Sequence, residues 1–417
     1  MRLDVYCAGR YAGVLEDVSP QEYRFTYTTG ALPISWTMPV RTEPYRSPYL
    51  HPIFQVSLPE GDLRQILDES LQKRVEGSRD MAVLALVGRH LVGALTIMPR
   101  GEALESGKPL PDIAQILQHG RSPEILADLV RRYAQQSGVS GGYPKILAQQ
   151  KTLPGTIVVP GWIVKTPSPG HPSLAVNEYF SLMAARLSGI TTASAHLSDD
   201  GLSLLVVRFD EYVGADGTHQ RRAFEDGASL LGLPAHAKFK GSVECLVRGL
   251  KSVCIGGEQA HSLKQFFRQY ALAMVIRNGD AHLKNFGVLS TPGDLSASLA
   301  PCYDMVTMAA YAPMDPDGTS HDIPALMWEG KKRWPRPRDW AALGRLCGLS
   351  APEIQEALTE IAAGVGQAGQ ALEDYARAHP EHQAITDRMQ VLWREGRKSL
   401  PAYARLTEET SLSVRPG

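Results

Sequence analysis

Asn278-Gly279-Asp280-Ala281-His282-Leu283-Lys284-Asn285 is the stretch from which the rest of this chain can be read. It sets an aspartate five positions before an asparagine, in the residue types of a tight polar loop. Upstream, Ser262 to Arg277 carries Leu263, Phe266, Phe267, Tyr270 and Met274 on one stripe, which predicts a long helix stopped by Asn278-Gly279. Downstream, Phe286 to Leu289, a Thr-Pro-Gly-Asp turn and Leu295 to Leu299 predict a hairpin. A second carboxylate, Asp304 in Pro301-Cys302-Tyr303-Asp304-Met305, lies 19 residues beyond Asn285. Phosphoryl transfer needs a carboxylate to orient and deprotonate the attacking hydroxyl, and oxygen donors to hold Mg²⁺ against a triphosphate. An Asp and an Asn in one polar turn are common. The ordered set of helix, Asp, Asn, hairpin and Asp is much rarer.

Two elements further upstream extend that pattern. Ser137 to Lys145 (SGVSGGYPK) is a Gly/Ser-rich loop in which the backbone N–H groups of Val139, Ser140, Gly141 and Gly142 can approach phosphates. It is not the G-x4-GK[ST] phosphate loop, because Lys145 is followed by Ile146. Lys165 in Trp162-Ile163-Val164-Lys165 sits in a β-branched strand, where burial is costly unless the charge is paired. Glu178, thirteen residues on, is a possible partner. It belongs to Ser173 to Leu187, where Val176, Tyr179, Phe180, Met183 and Leu187 predict an amphipathic helix ended by Gly189. Leu202 to Phe209 is a buried strand by composition. The plain alternatives are an ordinary loop, a solvent-facing strand lysine and a glutamate on a polar helix face.

The remainder supports an α+β chain. Residues 1–105 form a β-rich module: Leu3 to Cys7 and Tyr11 to Leu15 predict a hairpin around Ala8-Gly9-Arg10, with Val14 and Leu15 in the module's own core. Tyr23 to Tyr27 alternates as a strand, and Val83 to Met98 is expected as two strands broken at Gly88-Arg89. Residues 100–120 are expected as a linker, 120–210 as a nucleotide-binding lobe, and 211–417 as a helical lobe carrying the catalytic loop. Across 417 residues the net charge is −1, which excludes a polycationic nucleic-acid coat. The five cysteines are scattered, which argues against a disulfide framework or a structural zinc and fits a reducing cytoplasm. The opening MRLDVYCAGRYAGVL does not have the pattern of a secretory signal, and no apolar run is long enough to span a membrane.

SGVSGGYPKIL, WIVKTP, NEYFSLMAARLSGI, VVRFDEY, NGDAHLKNFGVL and PCYDMV, in this order, resemble the kinase toxins of the HipA family over residues 120–310. Residues 1–100, with Phe54 to Gly61 and Gly93-Ala94-Leu95, resemble that family's N-terminal subdomain. The resemblance implies a two-lobed protein kinase-like fold that uses ATP and Mg²⁺ to phosphorylate Ser/Thr of proteins. It assigns Asp280 as catalytic base and Asn285 and Asp304 as metal ligands. Lys165 would contact the phosphates, Val139 to Lys145 would cover them, and Val207 to Phe209 would be the hinge against adenine, with His282 and Lys284 beside the nucleotide. It further implies an aminoacyl-tRNA synthetase as the type of target and a small helix-turn-helix antitoxin as partner, with DNA reached only through that antitoxin and no membrane. Family members autophosphorylate a serine in the Gly-rich loop. The corresponding position here holds Gly138, flanked by Ser137 and Ser140 as possible replacements. The residues before Asp280 are Asn278-Gly279, and Asp304 is followed by Met305-Val306, so the motifs of eukaryotic kinases are not reproduced.

Other signals are secondary. His282 suits a loop-orienting or a plain structural role. His236, Lys238 and Lys240 either border a substrate groove or form a solvated loop. Lys331 to Arg338 (KKRWPRPR) is the densest basic run; it could touch phosphate backbones if the protein rides on DNA with an antitoxin, with a solvated face or an RNA or protein contact the better account. Leu343 to Ile361 faintly resembles a helix-turn-helix, with packing in the helical lobe the better account. Beside the protein kinase stand a small-molecule kinase on the same scaffold and a non-catalytic nucleotide- or partner-binding module. Intact Lys165, Asp280, Asn285 and Asp304 argue against the latter.

Overall fold

The computed structural model describes residues 1–19, 21–60, 64, 68, 71, 78–102, 104, 155–159, 161–166, 170–316 and 319–401. The loop Ser137 to Lys145, including Ser137, Val139, Ser140, Gly141, Gly142 and Lys145, lies outside these, as do the expected linker's residues 105–120. The chain divides into two compact units: Met1–Gly170 with Ser194–Ala237 and Gly287–Ala297, and His171–Ala193 with Lys238–Phe286 and Ser298–Gly417.

The first unit begins with an antiparallel five-stranded sheet in the order Tyr45–Ser47, Glu22–Tyr27, Arg10–Ser19, Arg2–Cys7, Leu95–Pro99. Its founding hairpin pairs Cys7 with Arg10 across Ala8-Gly9, both with positive φ (48° and 74°), as a two-residue turn matched to strand twist requires. Leu3, Val5, Leu15, Phe25, Phe54, Met81, Leu84 and Ile97 form its core. The expectation of two strands over Val83 to Met98 is corrected. Arg79–Val87 is a helix, and only Leu95–Pro99 is a strand. The helix is buried almost all round, so its residues carry no helical period and a continuous apolar run looks the same in either state.

A second antiparallel sheet in this unit has the order Gly155–Val159, Trp162–Thr166, Leu204–Val207, Ala195–Leu197, with Lys165 opposite both Thr156 and Leu204. The N-terminal module is fastened to the chain following this sheet by buried polar groups. Arg208 is paired with Asp210 and Glu211 and donates to the Leu91 carbonyl at 2.7 Å. Asp210 accepts the Gly93 N–H at 2.7 Å. Glu225 accepts from Ser35 Oγ, the Trp36 N–H and Ser229 Oγ at 2.8, 3.0 and 2.8 Å.

The second unit is mostly helical: Leu174–Leu187, Val243–Val253, Gly257–Val275, Pro337–Leu346, Ala351–Ala378 and Gln383–Lys398. The stripe expected on Leu174–Leu187 is displaced. Val176 and Phe180 are buried, but Leu187 is exposed and Asn177, Glu178 and Ser181 are buried instead. The cause is a hydrogen-bonded clamp: Asn177 donates to the Thr307 carbonyl at 3.1 Å and accepts the Thr307 N–H at 2.8 Å. In the faint helix-turn-helix, Leu343, Cys347, Leu349, Ile354, Leu358 and Ile361 are all buried, and a Cβ at Gly344 would run into Ile354, so this pair of helices is packing. Among the described residues no helix is long and apolar enough to cross a membrane.

Candidate active site

The helix Gly257–Val275 ends in a turn that aims the next residues away from its axis. The Ile276 N–H bonds back to Leu272, and the Asn278 N–H reaches the Ala273 carbonyl at 2.8 Å. Arg277 adopts φ +60° between them, the left-handed position usually given to glycine at a helix end. Asn278 is buried, and its Oδ1 accepts the Asp280 N–H at 3.2 Å. The chain then closes on itself. His282 N–H meets the Asp280 carbonyl at 2.7 Å and Asn285 Oδ1 at 3.0 Å, and Asn285 N–H returns to the His282 carbonyl at 3.0 Å. Asp280, Lys284 and Asn285 are half-buried, while Leu283 between them is fully buried and anchors the loop.

The segment carrying Asp304 is tied to this loop. Tyr303, the residue before Asp304, donates its hydroxyl to the carbonyl of Lys284, the residue before Asn285, at 2.8 Å. Cys302 fixes the other side: its N–H binds the Thr191 carbonyl at 2.8 Å and its carbonyl accepts the Ala193 N–H at 2.9 Å. Asp304 itself has φ +49°. A left-handed aspartate is unfavourable and is tolerated here because hydrogen bonds fix the chain immediately before it. Burial pushes the Cys302 thiol well up, and the charges of the Glu178 and Asp304 carboxylates push it further.

Asp280, His282, Lys284, Asn285 and Asp304 all belong to the second unit, where the Tyr303 hydroxyl ties the segment carrying Asp304 to the loop carrying the other four. Lys165, Val207 and Phe209 belong to the first unit, on or just after its four-stranded sheet. Val207 and Phe209 are half-buried, and Phe209 packs edge-on against Phe224.

Three contributors escaped the sequence. Asn177 and Thr307 anchor the helix bearing Glu178 to the chain just after Asp304. Asp322 lies against Gly279, where any Cβ would run into its carboxylate, so the glycine before Asp280 is set by space and not by backbone angle. Burial pushes the Asp322 carboxyl up, and the Gly279 and Ile323 N–H groups oppose that. The small residue before Asp280 was the one available signal; nothing local marked Asp322.

Among the described residues no three His, Cys, Asp or Glu side chains gather as a metal site. Asn285 and Asp304 offer an amide oxygen and a carboxylate, hard donors that suit Mg²⁺ when phosphates and water complete its shell. Asn285 Oδ1 accepts one backbone N–H, and a carbonyl oxygen has a second lone pair for a cation.

A β-sheet unit that presents a lysine strand, and a helical unit that presents an Asp–Asn loop tied to a second aspartate, make up an α+β protein kinase-like architecture. The chain belongs to the HipA family. The model of the HipA-like C-terminal domain matches residues 137–368, and that of the HipA N-terminal domain matches residues 3–98. Two curated relatives come from Sinorhizobium fredii (strain NBRC 101917 / NGR234). "Putative kinase Y4mE" is 27% identical over 404 residues, covering 89% of this chain and 92% of its own. "Putative kinase Y4dM" is 26% identical over 376 residues, covering 86% and 80%. Among solved structures, a chain of the Shewanella oneidensis MR-1 complex of HipA, HipB and operator DNA superposes with a TM-score of 0.64 at 17% identity, covering 97% of this chain and 99% of that one. That likeness is one of fold.

Proposed function

We propose that this chain is an ATP-dependent serine/threonine protein kinase acting as the toxin of a toxin–antitoxin pair in the cytoplasm. The observation that supports it most is the Tyr303–Lys284 bond, which joins the Asp280–Asn285 loop to the segment carrying Asp304. In this account Asp280 accepts the proton of the acceptor hydroxyl. The hydroxyl oxygen forms its bond to the γ-phosphorus as the bond to the β–γ bridging oxygen breaks, and ADP leaves. Mg²⁺ held at Asn285 and Asp304 would neutralise the charge on the phosphates. Lys165 would hold the phosphates, Val139 to Lys145 would cover them, and Val207 to Phe209 would border the adenine. Catalysis would come from positioning and electrostatics. The partner would be a small antitoxin: the Shewanella neighbour was captured with HipB and operator DNA. An aminoacyl-tRNA synthetase is the type of target the family suggests, and Ser137 or Ser140 would take any self-phosphorylation.

Purified protein, labelled ATP and cell lysate test this. We expect label on protein bands, and Asp280→Asn to lower transfer by about 10²–10⁴-fold, the usual worth of a positioned base. Nucleotide should still bind. Label confined to small metabolites would replace the protein acceptor with a small molecule, and transfer by the variant at the parent rate would remove Asp280 from the role.

A further inference from the structure

Two basic stretches that the mechanism leaves unused, Lys238 to Lys240 and the run from Lys331, converge beside the candidate catalytic loop. A chain of backbone hydrogen bonds holds them there. Leu283 N–H binds the Lys238 carbonyl at 3.2 Å. Met327 N–H binds the Gly241 carbonyl at 3.3 Å, and Val243 N–H binds the Met327 carbonyl at 3.0 Å. Trp328 and Lys331 then bond to each other in both directions, closing a tight turn in which Glu329 and Gly330 have φ of +51° and +72°. That geometry is a two-residue hairpin turn, and it presents Lys331 and Lys332 at a fixed place.

Phe239 is the centre of the resulting edge. It is exposed, although a phenylalanine gains by burial. Its ring packs edge-on against His282 of the catalytic loop, with centroids 5.1 Å apart. The Lys238 and Lys332 ammonium groups lie 5.2 and 6.0 Å from its centroid, within reach of cation–π attraction. Lys240, Lys331 and Lys332 are exposed and form no ion pair among the described residues. Two arginines of the run behave differently: Arg333 is paired with Asp339 and Glu329, and Arg336 with Asp339. The hairpin's own acid is also engaged, since Glu329 sits on Arg333.

We propose that this edge, Lys238, Phe239, Lys240, Lys331 and Lys332, docks an acidic segment of the protein to be phosphorylated, next to its acceptor hydroxyl. Charge complementarity favours carboxylates over a nucleic-acid strand. The ring of Phe239 already carries ammonium groups and does not offer the open aromatic face on which a base stacks. Two of the run's three arginines, Arg333 and Arg336, are paired internally, which shortens the basic stripe left to track a phosphate backbone. The inference rests on the kinase assignment above and names the substrate class for it.

The test uses the full-length protein, labelled ATP and peptides with one central serine flanked by Asp/Glu, by Ala or by Lys. The parent should prefer the acidic set, with KM lower by about tenfold or more, the scale on which charged complementarity discriminates. The double variant Lys331→Glu, Lys332→Glu should abolish that preference and shift it toward the Lys-flanked set, with the KM for ATP unchanged. Phe239→Leu keeps the apolar contact but removes the ring, and should raise the KM for acidic peptides with kcat retained. A parent indifferent to flanking charge, a preference untouched by the reversal, or an RNA oligonucleotide whose binding alone is lost on reversal would each overturn the proposal. The lysate assay runs alongside. Asp280-dependent labelling of lysate proteins without peptide preference defeats only the docking inference, whereas no Asp280-dependent labelling anywhere defeats the kinase assignment with it.

Discussion

Two regions of this molecule hold charged groups in contrasting ways. At the seam of the first unit, the Arg208 and Asp210 side chains are each 1% exposed and saturated, Arg208 by two carboxylates and a carbonyl, Asp210 by Arg208 and the Gly93 N–H. In the candidate loop and the segment tied to it, Asp280, Asn285 and Asp304 are half-buried, and backbone hydrogen bonds shape the chain around them: the Asp280 N–H and carbonyl are both bonded, and Tyr303, beside Asp304, is tied to Lys284. Buried charge must be paid for by full pairing, whereas a group meant for chemistry must be positioned and still reachable. The contrast separates residues that hold the fold from residues that would act on a substrate.

The sharpest test compares one aspartate from each region. Asp210→Ala leaves Arg208 short of a partner in a dry seam and should lower unfolding free energy by about 3–5 kcal/mol, read from urea denaturation. Asp280→Asn should move the same midpoint by less than about 0.5 kcal/mol while removing activity. Equal destabilisation by the two would erase the distinction. Asn177→Ala is a smaller perturbation. It strands the buried Thr307 N–H, while the Thr307 carbonyl keeps the Ala310 N–H at 3.1 Å, and should cost about 1–3 kcal/mol for a group left unsatisfied. Because Thr307 lies three residues after Asp304, this variant should also lower kcat, and a stability loss with unchanged kcat would sever that link.

Much of this was legible in the sequence because it is local. The helix to Val275, the loop from Asn278 to Asn285 and the strands at Arg2–Cys7 and Trp162–Thr166 follow from period and turn chemistry over short windows. What was missed depends on partners far away in the chain. The helix Arg79–Val87 has no polar face to declare its period, because it is buried on nearly every side. Asn177 and Ser181 stand outside the apolar stripe of their helix, and their burial depends on Thr307, 130 and 126 residues on. Arg208, inside the expected adenine hinge, proves to be committed to Asp210 and the Leu91 carbonyl, contacts that no local pattern encodes. Phe239 looked like one residue of a polar loop, and only the ladder through Gly241 and Met327 sets it beside Lys332.

Glu225 tests the seam most gently, because pH alone perturbs it. Burial is the main influence on its carboxyl and Asp226 adds to it, while the Trp36 N–H and the Ser229 and Ser35 hydroxyls oppose them; the balance pushes it up to about 7 from 4.5. A carboxyl whose folded value is raised holds its proton longer in the native state than in the unfolded chain. Its contribution to stability is therefore fully present below pH 4.5 and is lost as pH rises to about 7. Glu225→Gln cannot titrate. Its amide turns an N–H toward at least one of the three donors and should cost about 1 kcal/mol at low pH. The parent's advantage over the variant should then shrink between pH 4.5 and pH 7 as the parent alone loses stability. A gap that stays constant across that window would mean that the three donors outweigh burial and that Glu225 is ionised throughout.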